Sequence, residues 1–262
     1  MKYKNDKDKE YKTRGLYRHH KDSCEVVVFI HGILESPKQF RTLAEIAYRE
    51  GYSTYRVWLP GHGGDSIYFA QIGYMEWVKY ISDQITWLLT KYDQIIIVGH
   101  SMGALLGICE AVTRKKRIKA LFLINVPLKI HLWPRVIKSA LKINFGKVRV
   151  FERYTIAEYH AMGVGPIKLR AFIGLIRRYS ELLTIISYTK KQVKYLTCKV
   201  ALVFAAKDEF VNSRSIKYFR ESLGDIRVLY LKDSGHFCYH HSDLVAIEEN
   251  YIRFIKEIKT TS

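Results

Sequence analysis

Short apolar runs alternate with helix-period segments along residues 25–125. Continuous runs of β-branched and aliphatic residues are typical of parallel strands that are buried on both faces. Segments with apolar residues three or four positions apart are typical of helices that cover such strands. The predicted strands cover residues 25–30, 52–59, 95–98 and 120–125, and the predicted helices cover residues 36–50, 74–90 and 104–111. This alternation predicts an α/β fold with a mostly parallel central sheet and helices on both faces.

The alternation stops at Val126–Pro127 and resumes at residue 199. Strand patterns return over 199–205 and 227–231, and a closing helix follows over 243–258. The intervening insert has no strand pattern of the same type, and its helix-like stretches cover residues 133–143, 155–162 and 169–188. Such an insert predicts a helical cap over the carboxyl edge of the sheet, where open α/β sheets bind ligands.

These boundaries divide the chain into three parts. Residues 1–24 form an N-terminal tail, in which residues 11–17 are expected to add an edge strand. Residues 25–126 and 196–262 form the α/β core, and residues 127–195 form the cap. A chain of 262 residues is long enough to bury one such core with an insert.

The chain is strongly basic, with 43 Lys and Arg against 25 Asp and Glu and a formal net charge of +18. The charge gathers on the predicted cap, which carries 14 of the basic residues and 3 of the acidic ones. A basic cap with interspersed apolar residues can contact anionic surfaces or attract acidic substrates, and a lid with a solvated basic rim explains the same pattern. No nucleic-acid-binding motif accompanies the charge, so no nucleic-acid partner is expected. The pattern leaves the oligomeric state open.

The location in the cell is predicted from what the chain lacks. No apolar run approaches the ~20 residues that cross a bilayer. The first ten residues lack the apolar core of a secretory signal. The four cysteines form no C-x-x-C pair, which argues against a zinc site or a disulfide framework, and free thiols fit a reducing compartment. We therefore expect a cytoplasmic protein.

The segment Gly99–Gly103 reads Gly-His-Ser-Met-Gly between a strand pattern and a helix pattern. A serine in this context, with glycine two positions away on each side, is typical of a nucleophile elbow. The glycines remove side chains that would collide in so sharp a turn. Ser101 is therefore the candidate nucleophile, and a Gly-Ser loop without chemistry is the alternative.

A serine hydroxyl needs a base to accept its proton, and that base needs a carboxylate to fix its tautomer. His236 is the best placed of the ten histidines, because it follows the strand over 227–231 and precedes the last helix. Asp208 follows the strand over 199–205, and the order serine, acid, histidine is the one expected for loops at strand ends. The candidate catalytic residues are Ser101, Asp208 and His236.

Neighbouring acids and histidines are weaker candidates. Glu209 lies next to the candidate acid, where a strand-end loop would direct it elsewhere. Asp233 is only three residues before the candidate base, and the strand that ends at Asn125 offers no carboxylate. His240 and His241 stand at the start of the final helix, where we expect them to be exposed.

Two backbone N–H donors are needed to stabilise the oxyanion that forms on an attacked carbonyl group. The first candidate is the Met102 amide, which directly follows the candidate nucleophile at a helix start. The loop after the first main strand supplies the second donor, and we place it at the Ile33 amide. His31 is expected to brace this loop by hydrogen bonding.

Five segments together resemble the α/β-hydrolase superfamily, namely His31–Gly32, Leu59–Gly63, Gly99–Gly103, Lys207–Val211 and Gly235–His236. Within that superfamily, the chain is similar to small bacterial carboxylesterases and monoacylglycerol lipases over residues 25–258. The resemblance implies a cap inserted after the sixth strand of the family pattern and a structural role for His62. It also implies hydrolysis of carboxylic esters through an acyl-enzyme, with no cofactor or metal required. The apolar residues of the cap suggest a small-molecule ester with an apolar acyl chain.

Other substrates and other classes of function stay open. Thioesters, feruloyl-type esters, amides and carbon–carbon bonds are alternatives for the same triad, because the fold supports several chemistries. A ligand-binding protein without turnover belongs to a different class, as does a nucleic-acid or membrane-surface binder that uses the basic insert. The insert carries no recognisable motif, so it does not define the substrate.

Overall fold

A computed structural model describes residues 15–131, 142, 157, 161–224 and 226–260. One sheet of seven strands runs through the described residues, in the order β1-β3-β2-β4-β5-β6-β7. All neighbouring strands are parallel except β1 and β3. The strands are β1 (Leu16–Arg18), β2 (Glu25–Ile30), β3 (Ser53–Arg56), β4 (Gln94–His100), β5 (Ile118–Ile124), β6 (Lys199–Ala205) and β7 (Arg227–Leu231). The predicted α/β class with a mostly parallel sheet is confirmed.

The helices alternate with the strands in the described residues. They are α1 (Arg41–Arg49), α2 (Ser66–Gln71), α3 (Tyr74–Leu88), α4 (Met102–Thr113), α5 (Phe172–Gln192), α6 (Ile216–Leu223) and α7 (His241–Thr260). Short 3-10 turns cover Pro37–Phe40, Leu169–Ala171, Val193–Tyr195 and Ser213–Ser215. Of the described helices, none has both the length and the apolar character needed to cross a membrane.

Both faces of the sheet are buried, as the apolar runs predict. Val26 and Val28 of β2 face a core that α3 and α4 complete, whereas Val27 and Phe29 face a second core that α1 and α7 complete. Successive side chains of a strand point to opposite faces, so an uninterrupted apolar run is needed to fill both cores. The helices thus pack on the two faces and leave the carboxyl ends of the strands to form the site.

The structure adds two short helices that the sequence patterns do not predict. The first is α2, whose N-cap Asp65 accepts the N–H of Tyr68 at 2.9 Å through Oδ1. The second is α6, which follows a 3-10 turn capped by Asn212. Helices of six and eight residues are shorter than the window in which helical periodicity can be recognised.

Several predicted strands differ in extent from the observed ones, and β4 and β5 begin one and two residues before their predicted ranges. The strand predicted over 52–59 is confined to Ser53–Arg56. The edge strand predicted over 11–17 is found at Leu16–Arg18, antiparallel to β3, and the start of the predicted range lies outside the described residues. Element ends are weakly specified by local sequence, because fraying and turn formation decide them.

The described part of the insert after β5 is tied to two loops at the sheet edge. The N–H of Gly163 donates to the carbonyl of Leu34 at 2.6 Å, and the Gly163 carbonyl accepts the N–H of Gly63. The N–H of Gly165 donates to the carbonyl of Gly64 at 3.0 Å. The following helix α5 packs against α2, α3 and α4. This part of the insert is therefore fixed to the core by backbone hydrogen bonds.

The insert's predicted helices are only partly within the described residues. The helices predicted over 133–143 and 155–162 lie almost wholly outside them. The helix predicted over 169–188 is found as a 3-10 turn at Leu169–Ala171 that leads into α5. The division of the chain into tail, core and cap stays a prediction.

Candidate active site

Ser101 stands on a sharp turn between β4 and α4. Its φ of 52° and ψ of −122° are a backbone conformation that residues other than glycine rarely adopt. Its N–H donates to the carbonyl of Ile124 at 3.0 Å, which ties the turn to β5. A Cβ on Gly99 would lie 2.6 Å from a backbone atom of α4, and one on Gly103 would overlap the carbonyl oxygen of Ile30. Packing therefore requires both glycines, as the elbow pattern predicts.

His236 and Asp208 are in direct contact at the same edge of the sheet. Nδ1 of His236 lies 2.7 Å from Oδ2 of Asp208, and both side chains are almost fully buried. The other oxygen of Asp208, Oδ1, accepts the N–H groups of Phe210 at 2.8 Å and Val211 at 2.6 Å. These bonds fix the carboxylate, and the carboxylate in turn orients the imidazole ring.

The burial of this pair affects the protonation of the ring. Burial disfavours the charged imidazole, but the negative charge of Asp208 and its hydrogen bond outweigh that effect. The pKa of His236 is therefore raised above its ordinary value. A hydrogen bond from Nδ1–H to a carboxylate also leaves Nε2 with a free lone pair, which is the state that a general base requires.

The neighbouring candidates have other contacts. Glu209 accepts the backbone N–H of His236 at 2.8 Å through Oε2, so it positions the loop and does not contact Nδ1. Asp233 pairs with Lys207 at 2.7 Å in a partly exposed position. The Asn125 side chain accepts the N–H of Ala205 at 2.9 Å, which joins the ends of β5 and β6. His240 and His241 are exposed, as expected.

The structure brings Ser101 and His236 to the same edge but does not join them by a hydrogen bond. Ser101 is 7% exposed and His236 is 3% exposed. The ring of His100, the neighbour of Ser101, has its centroid 4.7 Å from that of His236. Contacts between a nucleophile and its base are commonly long before substrate binds. The assignment of Ser101, Asp208 and His236 as a triad stays a prediction.

The loop after β2 has the hydrogen-bond pattern that an oxyanion donor needs. The amides of Gly32, Leu34 and Glu35 each have an acceptor, whereas the Ile33 amide has none among the described residues. The Met102 amide, at the first position of α4, likewise has no acceptor among them. Two N–H groups, those of Ile33 and Met102, are therefore free to donate to a ligand oxygen.

Two buried histidines hold this loop in place. Nε2 of His31 accepts the N–H of Leu59 at 3.2 Å, and Nε2 of His62 accepts the N–H of Leu34 at 3.1 Å. Their rings are in edge contact, with centroids 4.7 Å apart. Burial lowers the pKa of His31 to about 4 and that of His62 well below its ordinary value, so both rings are neutral acceptors. This agrees with the bracing role expected for His31.

Glu35 and His100 form a buried pair that the sequence patterns do not reveal. Nδ1 of His100 lies 2.9 Å from both carboxylate oxygens of Glu35. The carboxylate also accepts the N–H of Gly32 at 2.6 Å and the Nε2 of Gln39 at 2.5 Å. Burial opposes ionisation, but the interaction with His100 outweighs it and lowers the pKa of Glu35 to about 2. The one local signal is an acid four residues after His31 in a strand-end loop.

The same pair lies beside the ring of His236. Oε1 of Glu35 is 3.8 Å from Nε2 of His236. Among the described residues, the group whose ligand-type atoms lie close enough to hold a metal ion is Glu35, His100 and His236, all within 4.8 Å of one another.

Comparison with known proteins agrees with this fold. The family model of the α/β-hydrolase fold matches residues 25–164, which is more than half of the chain. The chain therefore belongs to the α/β-hydrolase fold family. The match includes Ser101 and the loop with Ile33, and it ends before Asp208 and His236.

Several similar proteins are lipases or lipolytic enzymes. The thermostable monoacylglycerol lipase of Bacillus sp. (strain H-257) is 30% identical over 80 residues, which are 30% of this chain and 32% of that lipase. The match thus spans about a third of that relative. A metagenome-derived lipolytic enzyme has a TM-score of 0.72 at 21% identity, covering 94% of this chain and 98% of its own. The monoacylglycerol lipase of Paleococcus ferrophilus has a TM-score of 0.64 at 19% identity, covering 90% and 95%. At sequence identities this low, the similarity to these solved structures shows that the fold is shared.

Proposed function

We propose that this protein is a serine hydrolase that cleaves carboxylic esters through an acyl-enzyme. The proposal is carried by the buried hydrogen bond of 2.7 Å between His236 and Asp208, at the sheet edge where Ser101 occupies an elbow. The similarity to monoacylglycerol lipases and to a lipolytic enzyme supports an ester as the substrate.

The proposed reaction uses His236 first as a base and then as an acid. Oγ of Ser101 attacks the acyl carbon while its proton passes to Nε2 of His236. When the tetrahedral intermediate breaks down, His236 returns that proton to the leaving alcohol, and an ester of Ser101 remains. His236 then takes a proton from water, which attacks the acyl-enzyme, and returns this proton to Oγ of Ser101 as the carboxylic acid is released. Asp208 keeps the second proton of the ring on Nδ1 throughout.

The oxyanion of both intermediates is stabilised by the amides of Ile33 and Met102. Their lack of an acceptor among the described residues supports this assignment. The hydrogen bonds that fix Gly32 and Leu34 keep the loop rigid, so little reorganisation is needed when charge develops. Losing one such donor typically raises the barrier by about 3 kcal/mol.

The proposed substrate is a small ester with an apolar acyl chain, such as a medium-chain monoglyceride. The apolar residues in the insert and the monoacylglycerol lipase relatives support this choice. We also propose that the enzyme acts in the cytoplasm, where its four free cysteines stay reduced. Acyl thioesters and feruloyl esters are the competing substrates, and a panel of substrates separates them.

Replacement of the nucleophile tests the proposal. We expect Ser101→Ala to abolish the turnover of p-nitrophenyl butyrate and laurate, while Ser242→Ala, an exposed serine near the site, keeps it. A fluorophosphonate probe should label the unmodified protein at Ser101, as mapped by mass spectrometry. Turnover by Ser101→Ala at the unmodified rate, with its circular dichroism spectrum unchanged, would refute the mechanism. Faster turnover of acyl thioesters or feruloyl esters would move the proposal to those bonds.

A further inference from the structure

Three side chains that can ligate a metal meet beside the elbow, although they come from three separate parts of the chain. Glu35 follows β2, His100 ends β4 and His236 follows β7. Their ligand atoms all lie within 4.8 Å of one another, and each residue is at least 97% buried. The triad mechanism uses His236 and leaves the buried pair of Glu35 and His100 without a chemical role.

The ring of His236 is already oriented as a metal ligand. Metal-binding histidines usually donate one ring N–H to a carboxylate, which fixes the tautomer and makes the other nitrogen a better ligand. Asp208 provides that carboxylate at Nδ1, at 2.7 Å. The remaining nitrogen, Nε2, is 3.8 Å from Oε1 of Glu35. The arrangement that prepares His236 to accept a proton also prepares it to accept a cation.

Glu35 provides the negative charge and is held in place before any ion arrives. The N–H of Gly32 and the side chain of Gln39 both donate to Oε2, which leaves Oε1 facing His236. Nδ1 of His100 lies 2.9 Å from each oxygen. A buried carboxylate gains strongly from a divalent cation, because a low-dielectric site screens charges weakly.

His100 can exchange its proton for an ion without leaving its place. Its Nδ1 now donates to Glu35, and its Nε2 lies 3.4 Å from the hydroxyl of Tyr239. When Nδ1 binds a cation, the ring retains one proton on Nε2, where the Tyr239 oxygen can accept it. The proton displaced from Nδ1 leaves to solvent.

The ligand set selects the ion. Two imidazole nitrogens and one carboxylate oxygen suit zinc and similar divalent transition metals, whereas calcium and magnesium prefer oxygen ligands alone. Ligands of a tetrahedral zinc ion at about 2.0–2.1 Å are about 3.3 Å apart. The separations of 2.9 Å and 3.8 Å that involve Glu35 bracket that value, and the two histidine nitrogens lie within 4.8 Å of each other. Three protein ligands leave the fourth position to water.

We propose that Glu35, His100 and His236 form an inhibitory site for zinc. Occupation of Nε2 by the ion removes the lone pair that accepts the Ser101 proton, so zinc and catalysis compete for one nitrogen. Binding of the ion stands on the cluster alone, whereas inhibition rests on the proposed hydrolase function.

Binding is tested with Ser101→Ala, which keeps all three ligands and removes the nucleophile. We expect calorimetry to show one zinc ion per chain, and cobalt(II) to give the visible absorption of a tetrahedral site that zinc abolishes. Glu35→Gln should weaken zinc binding by about 100-fold, because even the outer partners of metal ligands contribute 10–100-fold. His240→Gln, an exposed histidine near the site, should bind zinc as Ser101→Ala does. Absence of the cobalt spectrum, or unchanged zinc affinity in folded Glu35→Gln, would overturn the site.

Inhibition is tested on the unmodified protein with the fluorophosphonate probe and a p-nitrophenyl ester. Zinc should block both labelling and turnover, and EDTA should restore them. Zinc bound at this site with full turnover would refute inhibition. A protein that binds zinc with the expected spectrum, but is never labelled even with EDTA, would refute the hydrolase and leave the metal site standing.

Discussion

Asp208→Asn is the sharpest test of how the site controls His236, because the structure dictates how the new amide must lie. Oδ1 of Asp208 accepts two backbone N–H groups, from Phe210 and Val211. In the variant, the amide oxygen takes the position of Oδ1, because an NH₂ group there would face two N–H donors and could not accept from either. The NH₂ group then faces Nδ1 of His236, where Oδ2 now lies at 2.7 Å.

This orientation reverses the tautomer of the ring. An NH₂ group can only donate to Nδ1, so the ring proton moves to Nε2, which is then unable to accept the proton of Ser101. Turning the amide to avoid this costs both hydrogen bonds to the loop, at about 1 kcal/mol each plus the penalty for buried N–H groups left unpaired. The same change in trypsin lowers kcat by about 10⁴-fold, which corresponds to about 5.4 kcal/mol of barrier, and we expect a similar loss here.

The assay is kcat/KM for p-nitrophenyl butyrate, with thermal unfolding as the check on folding. Asp233→Asn is the matched control, because Asp233 lies on the loop of His236 but pairs with Lys207 in a partly exposed position. We expect this control to keep nearly full activity. A folded Asp208→Asn variant within tenfold of the unmodified protein would show that the tautomer argument is wrong.

Three further predictions concern the surrounding structure. Gly103→Ala should lower the free energy of unfolding by about 3 kcal/mol in urea titrations, because the added Cβ would overlap a carbonyl of β2. Gly64→Ala should be tolerated, because the added Cβ would lie 3.6 Å from its nearest neighbour, a ring atom of Tyr68. Burial holds the pKa of His31 at about 4 in the folded protein, so between about pH 6.5 and pH 4 the unfolded chain binds a proton that the folded protein does not. The free energy of unfolding should therefore fall by up to about 3 kcal/mol as the pH drops through this range, and His31→Gln should flatten the fall. Glu209→Ala should lower kcat/KM about tenfold by freeing the backbone N–H of His236, and Glu209→Gln, which keeps an acceptor, should restore most of it.

The sheet and the elbow could be predicted because their signals are local. The run Ile95–Val98 must fill two cores, and few sequences other than a buried strand do so. A Cβ on Gly99 would collide with Ala104 in the same turn, and one on Gly103 would collide with the carbonyl of Ile30 in β2. Asp208 and His236 could be selected because parallel strands bring the loops at their carboxyl ends to one edge.

The pairing of Glu35 with His100 could not be predicted in the same way. The two residues are 65 positions apart, and each alone resembles an ordinary polar residue beside a strand. Their burial depends on how the loops after β2 and β4 pack, which no local period reports. The short helices α2 and α6 escaped prediction for a different reason, since caps and tertiary packing stabilise helices too short to show a repeat.

The backbone bonds from Gly163 to Leu34 and Gly63, and from Gly165 to Gly64, have a practical consequence for protein engineering. They make residues 163–165, near the middle of the predicted insert, a shared support for the loop that carries Ile33. A chimera that receives a foreign cap should therefore keep residues 162–165 from the recipient chain and place its second splice point before them. A splice placed after them would graft the new cap but remove these backbone hydrogen bonds from the loop of the proposed oxyanion donor.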